Sequence, residues 1–490
     1  MNRVVTTPEV QLRCDGHGLS RGLAASLTRV EVQQAASAST RCRISFMAPP
    51  ADVQALRLGA ALVLSLAGQG NTLFDGRITA VEHEYLGEGL HHVHVVAHDA
   101  LHALSLRQTR RALIDLSTAA VVQALVNDLG IEVVASSPGP RWYRVLQFEQ
   151  TDLALLVHMT RRSGHYFHLR AGRLQVFTLG DTPSPVVLKL GADVLQARFE
   201  HTADAPGQMR AHTWNPWRGA AIQGSARAAR AAAAGSPTAR RLVNTTAQSV
   251  EQADADAQAT LDRLIAAAQT LQGLAEGNAR LHPGCRVRIE GTHNPSDYLL
   301  THVTHTVDPD HGYLTRFDST VPPAPVQAHG SMLTLGHVSR VDDPEGLGRV
   351  RVLLSCFDEL ESDWLEVVLP AAGPDRGLVA LPTRDDQVLV LLEGGDAAQG
   401  VVLGGLWGET RPADAGVVGN DVRRMSFRSP SGHCIVLDDE ARSLRVEHGN
   451  GSFMQLTDHM LTVHAASAMT LEAPGQRLVL RAAAIDFEQG

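Results

Sequence analysis

Histidine is the residue type with the widest chemical reach in this 490-residue chain, which has 23 of them. His91, His92, His94 and His98 lie close together, and strand alternation points His92 and His94 the same way. Two imidazoles need a carboxylate to complete an open metal triad, and spacing alone sets none beside them. Glu82-His83-Glu84 reads as a surface strand end. We therefore read these histidines as a solvated or interface strand and expect no metal and no cofactor. In an oligomer, His433, His459 or His464 would be the residues to meet symmetry mates on an axis; water-bound or outward-facing side chains are the plainer reading. Asp438, Asp439 and Glu440 are adjacent, whereas carboxylates that cleave a glycosidic bond must flank a cleft; they read as an exposed turn. A P-loop is excluded, because Lys189 is the only lysine and sits in the apolar stretch Val187-Leu188-Lys189-Leu190. No catalytic residue is assigned.

The elements around these residues are mostly strands. Arg41-Cys42-Arg43-Ile44-Ser45-Phe46, Ala61-Leu62-Val63-Leu64-Ser65-Leu66 and His92-Val93-His94-Val95-Val96 alternate with period two. One helix is expected from Ser117, with Val121, Val122, Leu125 and Leu129 on one face and Gly130 as its stop. A second is expected from Thr151, with Leu153, Leu156 and Val157 as its stripe. A third is expected from Ser249 through Leu271, ended by Gly273 and Gly277. Residues 219–240 are Ala, Gly, Ser and Arg without apolar periodicity and read as a mobile loop. Val321-Pro322-Pro323-Ala324-Pro325 reads as a stiff linker.

Charge and composition exclude several classes. Lys+Arg is 43 against Asp+Glu 52, a formal charge of −9, which argues against a general nucleic-acid binder. The run from Leu58 to Gly68 is too short to span a bilayer, which needs about 20 apolar residues. Met1-Asn2-Arg3-Val4-Val5 lacks an apolar signal core. Cys14, Cys42, Cys285, Cys356 and Cys434 form no CxxC pair, so a thiolate zinc site or disulfide framework is not expected.

After Gly419 short strands recur every seven to nine residues, marked by Leu444/Val446, Phe453/Gln455, Leu461/Val463, Met469/Leu471, Leu478/Leu480 and Ile485/Phe487. Such strands offer few apolar side chains each and have no covering helix, so one copy cannot bury a core and leaves open edges. Winding three copies together closes the edges, with Leu461, Val463, Met469, Leu471, Leu478 and Leu480 on the shared axis.

Residues 336–408 resemble the oligonucleotide/oligosaccharide-fold (OB-fold) domain of VgrG-like spike proteins, relatives of contractile phage-tail hubs. The resemblance rests on Gly336-His337-Val338, Asp343-Pro344, Gly346, Gly348-Arg349-Val350-Arg351-Val352, Trp364, Leu381-Pro382, Gly395-Asp396 and Val401-Val402-Leu403-Gly404-Gly405-Leu406. Thr383-Arg384-Asp385-Asp386 departs from it, because the family usually has a Gly before the acidic residue. Ser429-Pro430-Ser431-Gly432-His433 and Leu437-Asp438-Asp439 look like the start of the family's β-prism needle. Upstream, Asp152-Leu153-Ala154-Leu155-Leu156, Gly164-His165-Tyr166-Phe167, Leu281-His282-Pro283-Gly284-Cys285 and His311-Gly312-Tyr313-Leu314-Thr315-Arg316-Phe317 are similar to late-control D-type hubs.

The resemblance implies a mainly β chain: two hub β-barrels with a few helices (1–325), a linker (326–335), a five-stranded OB-fold collar (336–410) and a trimeric β-prism or β-helix needle (420–490). It implies a structural, non-enzymatic hub and spike of a contractile injection system, of the antifeeding-prophage-type extracellular kind. The implied partners are two further copies, the hexameric inner tube protein, baseplate proteins, effector cargo and a PAAR-like tip protein at Ile485 and Phe487. The target membrane would be met mechanically, with no nucleic acid. The chain would be made in the bacterial cytoplasm without a signal peptide and work in an assembled particle. A spike-borne cell-wall hydrolase and a glycan- or polyanion-binding module are the rival readings. The OB-fold unit offers only Phe357, Trp364 and Trp407 as stacking aromatics.

Overall fold

The computed structural model describes residues 8–488 apart from 48, 50, 68–71, 88–89, 148–149, 216–219, 229–238, 244–246, 248, 294–295, 323–330, 358, 393–398 and 409. The fold is mainly β. Alternation in Arg41–Met47 buries Cys42, Ile44 and Phe46, and in Ala61–Leu66 it buries Leu62, Leu64 and Leu66. These strands belong to an eleven-stranded sheet. Its first part runs from His17–Gly18 through Val10–Cys14, Ala61–Leu66, Thr72–Tyr85, His91–His98 and Arg41–Met47 to Leu27–Ala35. There His302–Asp308 pairs antiparallel with Leu27–Ala35, Val307 opposite Val30, and the sheet continues through Gly312–Asp318 and Gln269–Glu276 to Val194–His201. Two separate apolar cores lie along it. One is built on Val30, Ile44, Leu62 and Val95, the other on Leu271, Val287, Val303 and Phe317.

Three helices start where cap chemistry expects them. Ser117 accepts from the Ala120 N–H at 3.3 Å, Thr151 from Ala154 at 3.2 Å, and Ser249 from Gln252 at 3.2 Å. In Thr118–Val126 the expected Val121, Val122 and Leu125 are buried, and Gly130 takes φ +66° after the last turn. In Asp152–Arg162 the buried stripe is Leu155, Leu156 and Met159, with Leu153 and Val157 only half-buried, so the buried face is turned by about 100° from the expected one and shares Leu156 with it.

The third helix ends earlier than expected, at Ala268, and the chain passes directly into the strand Gln269–Glu276, which contains Leu271 and Gly273. Gly273 and Gly277 are not helix stops; a Cβ at either would overlap the rings of Phe317 or Tyr313. The loop expected over 219–240 is also corrected. Ala220–Arg227 is a strand paired with Gln208–Asn215, which also pairs with Ala239–Val243. Ile222, Gly224 and Ala226 are buried against the helix Val250–Ala268. Residues 219 and 229–238 lie outside the described residues.

Of the expected linker, 326–330 lies outside the described residues, and Met332–Arg340 is already the first strand of the next sheet. That sheet runs Leu360–Glu361, Arg351–Leu354, Met332–Arg340, Gln387–Leu392, Gly400–Leu406, Glu366–Val367, six strands including two of two residues. Val338, Val350, Val352, Val388, Val390 and Val402 fill its core, which also takes in Leu146 from the strand Arg141–Gln147. Beside Leu146, Arg144 donates to the Glu361 carbonyl at 3.3 Å and lies 3.6 Å from the Asp363 carboxylate. No helix among the described residues is long and apolar enough to cross a membrane.

Candidate functional site

The strands Arg424–Arg428, Cys434–Asp438, Ser443–Glu447, Phe453–Leu456 and Leu461–His464 form an antiparallel meander in chain order. Register decides what each face shows. Met425 pairs with Leu437, Phe427 with Ile435, Ile435 with Val446, Leu437 with Leu444, Val446 with Met454, Leu444 with Leu456, Met454 with Val463, and Leu456 with Leu461. One face is therefore apolar in every row, and all these side chains are exposed in the single chain, from 37% at Leu444 to 64% at Met425. The other face carries Arg424, Ser426, Asp438, Arg445, Glu447, Gln455, Thr462 and His464. There the Arg445 guanidinium lies 3.8 Å from the Phe453 ring centre and donates to Glu447 at 2.8 Å and to Gln455 at 2.9 Å. The sheet is thus inverted relative to a soluble one. Soluble monomers rarely expose a contiguous apolar patch larger than a few hundred Å².

Leu461 and Val463 lie on this face as expected. Met469, Leu471, Leu478 and Leu480 are exposed, and the structure does not bring them together: residues 465–488 form no strand in the single chain. The three strands expected there are corrected on that point, since a lone segment of that length has no ladder partner. Ile485 and Phe487 are exposed, Phe487 at 90%. The pair Phe453/Gln455 was the wrong marker for its strand: both lie on the polar face, and Met454 and Leu456 carry the apolar one. Sequence reasoning also missed Met425 with Phe427 and Ile435 with Leu437, whose period-two spacing was there to be read. His464 stacks on Phe453 at 5.1 Å on the polar face, away from the apolar one. His433 packs on His448 at 4.2 Å and accepts from the Gly449 N–H at 3.1 Å.

Elsewhere the polar groups are mostly structural. Asp343 takes two guanidinium bonds from Arg349, at 2.7 and 3.0 Å, and backbone N–H bonds from Glu345, Leu347 and Arg349. These bonds, the Arg349 pairing first, hold its carboxyl well below the usual range. The loop needs Gly346 and Gly348 at φ +67° and +74°, which explains the spacing of that motif. Phe357 and Trp364 are buried, and Arg351 sits 4.9 Å from the Trp364 ring centre; Trp407 is exposed. Two of the three aromatics are thus unavailable for stacking on a ligand. Gly18-Leu19-Ser20-Arg21-Gly22 spells a GxSxG, which corrects the expectation that the sequence holds no such motif. Ser20 Oγ accepts from the Leu23 N–H at 3.1 Å and caps the short helix Arg21–Ala25. Among the described residues no histidine is hydrogen-bonded to it, and its role there is that of a helix cap.

Comparison with known proteins gives these features a setting. Residues 34–311 match the phage tail baseplate hub (GPD) family, and residues 334–407 match the type VI secretion system/phage-baseplate injector OB domain. No curated protein matches the chain. Among solved structures, the Francisella PdpA-VgrG complex in its half-lidded form aligns over 95% of this chain and 89% of that one, at 7% identity and TM-score 0.58. The E. coli c3393 protein is described as a type VI secretion component similar to the T4 bacteriophage tail proteins gp27 and gp5. It aligns over 81% of this chain and 99% of its own, at 15% identity and TM-score 0.52. The 43 kDa tail protein of prophage MuSo2 from Shewanella oneidensis covers 64% of this chain and 98% of its own, at 16% identity and TM-score 0.50. At these identities the likeness is one of fold. The hub match spans more than half of the sequence and continues into the injector OB domain, so this chain belongs to the phage tail baseplate hub family and is a structural hub and spike protein.

Proposed function

We propose that three copies of this chain form the central hub and spike of a contractile injection system. The observation that carries the trimer is the exposed apolar face of the C-terminal meander. Three such sheets, faces inward, make a closed prism in which each apolar row meets its symmetry mates. Leu461 and Val463 then line the axis, and Met469, Leu471, Leu478 and Leu480 extend it once neighbouring chains supply the strand partners that one chain lacks. Residues 1–325 act as the hub, 336–410 as the collar and 420–490 as the needle. Two related halves per chain, taken three times, give a pseudo-sixfold ring suited to a hexameric inner tube.

The five strands of the meander at about 4.8 Å spacing make about 24 Å of shaft, which the 465–488 segment lengthens only modestly. A separate PAAR-like tip seated on Ile485 and Phe487 would complete the point. The spike supplies stiffness and shape; sheath contraction supplies the work, whether the particle is an extracellular antifeeding-prophage-type system or another tail-like machine. Effector cargo and the remaining baseplate proteins complete the proposed set of partners. A spike-borne cell-wall hydrolase is the rival reading, and clearing of a peptidoglycan gel by the purified protein would favour it. Electron micrographs of the purified protein test the proposal: threefold particles with a broad ring tapering to a short rod are expected, and isolated single chains would overturn it.

A further inference from the structure

The hairpin Thr72–Tyr85 with His91–His98 brings together residues eight to twelve apart in sequence. Glu84 pairs with His92 and Glu82 with His94, so all four side chains share one face; on the opposite face Val93 and Val95 are fully buried. The sequence reading set no carboxylate beside His92 and His94, and the structure corrects it. Glu84 Oε2 lies 3.7 Å from His92 Nδ1 and 3.6 Å from His94 Nε2, and the three donor atoms all fall within 4.8 Å of one another. These separations are too long for hydrogen bonds. They are close to the spacing of two ligands on a tetrahedral ion: bonds of about 2.0–2.1 Å place ligand atoms roughly 3.3 Å apart. The two Glu84 separations need only a few tenths of an ångström to reach that spacing, and the His92–His94 separation, within 4.8 Å, closes with it as the set gathers around an ion.

The neighbours favour that use. Ser45, opposite His94 on the strand Arg41–Met47, has its Oγ 2.8 Å from His94 Nδ1. With the Nδ1–H donated to Ser45, the Nε2 lone pair faces Glu84, which is how an outer hydrogen bond orients a ligating imidazole. Arg43, two residues before Ser45, is engaged by Glu82 at 3.4 Å and does not neutralise Glu84. The rings of His92 and His94 stand at 87° to each other, so each lone pair has its own approach. His98 is not part of the set: it stacks on His102 at 4.6 Å and bonds Thr79 Oγ1 at 2.8 Å. His91 stacks with Tyr85 and His83 on the opposite face.

We infer that Glu84, His92 and His94 bind one divalent transition-metal ion per chain, Zn²⁺ fitting the two-imidazole, one-carboxylate set, with the remaining positions open to water or an incoming ligand. The test is calorimetric titration of tag-free, chelator-treated full-length protein with ZnCl₂. Saturable binding at one ion per chain is expected. The His92→Ala/His94→Ala double variant should abolish it. Ser45→Ala should weaken it about tenfold, the loss typical of an outer-shell partner, and Glu84→Gln by more than that. His83→Ala/His91→Ala should bind as the parent does. Absence of saturable binding, or binding that survives loss of both His92 and His94 in a folded variant, would overturn the assignment; so would dependence on His83 and His91.

Discussion

At the residue scale, two buried polar groups make sharp predictions. Asp152 is fully buried; Arg111 donates to its two oxygens at 2.9 and 2.8 Å, Gln147 donates at 2.8 Å, and Arg107 lies 3.2 Å away. Asp152→Ala removes the carboxylate that holds Arg111 and Gln147, while Arg107 keeps Asp128 and the Leu125 carbonyl; it should cost about 3–5 kcal/mol, read as a lowered denaturant midpoint. His168 is buried with neither ring nitrogen hydrogen-bonded, stacked on His282 at 5.8 Å and close to Arg170 and His305. Burial first, then these cationic neighbours, push it down to about 3; burial likewise takes His282 and His305 to about 4. In the unfolded chain each titrates near 6.5. Between about pH 6.5 and 4 the unfolded state therefore binds more protons, so stability is full above that window and falls as the pH falls through it. His168→Leu should flatten the loss between pH 7 and pH 5; an unchanged slope would contradict this. The helix caps Ser117, Thr151 and Ser249 were legible in the sequence because a cap acts within three residues. Glu84 was not, because its place beside His92 depends on hairpin register, which no local pattern of residue types states.

At the element scale, the same limit separates what alternation revealed from what it hid. Strands rich in Val and Leu, such as Arg41–Met47, showed their buried face by residue type alone. Ala220–Arg227 hid its face because Gly224 and Ala226 alternate with Ala221 and Ser225, small against small, leaving Ile222 as the one large apolar residue on the buried side. Gly224 has a packing role: a Cβ there would overlap the Ala253 backbone of the covering helix. Gly224→Ala should destabilise by about 1–3 kcal/mol as the helix is pushed off the sheet, seen in thermal unfolding. In the meander, Leu461 faces the apolar side, and Thr462, opposite Gln455, the other. Leu461→Asp would place three carboxylates around one level of the axis and should abolish assembly. Thr462→Asp should leave it nearly unchanged. The reverse result would exchange the inside and outside of the needle. The last stretch, 465–488, was read as strands because its apolar pairs keep the beat, but in the single chain it forms none.

At the scale of the whole molecule, a sheet that is apolar on its outside fits a chain that completes itself in an assembly. The OB-domain sheet is joined to the preceding part of the chain by buried groups: Leu146 lies in that sheet's core and Arg144 pairs with Asp363 beside it. The family was legible from motifs with local causes, such as the Asp343–Arg349 loop, while the proposed trimer rests on a shortage of partners. The central claim is that the protein closes into three copies through its C-terminal apolar face, and native mass spectrometry of the purified full-length chain tests it most directly. The account predicts a single species of three times 52.5 kDa, converted to single chains by Leu461→Asp. A monodisperse monomer at micromolar concentration would contradict it.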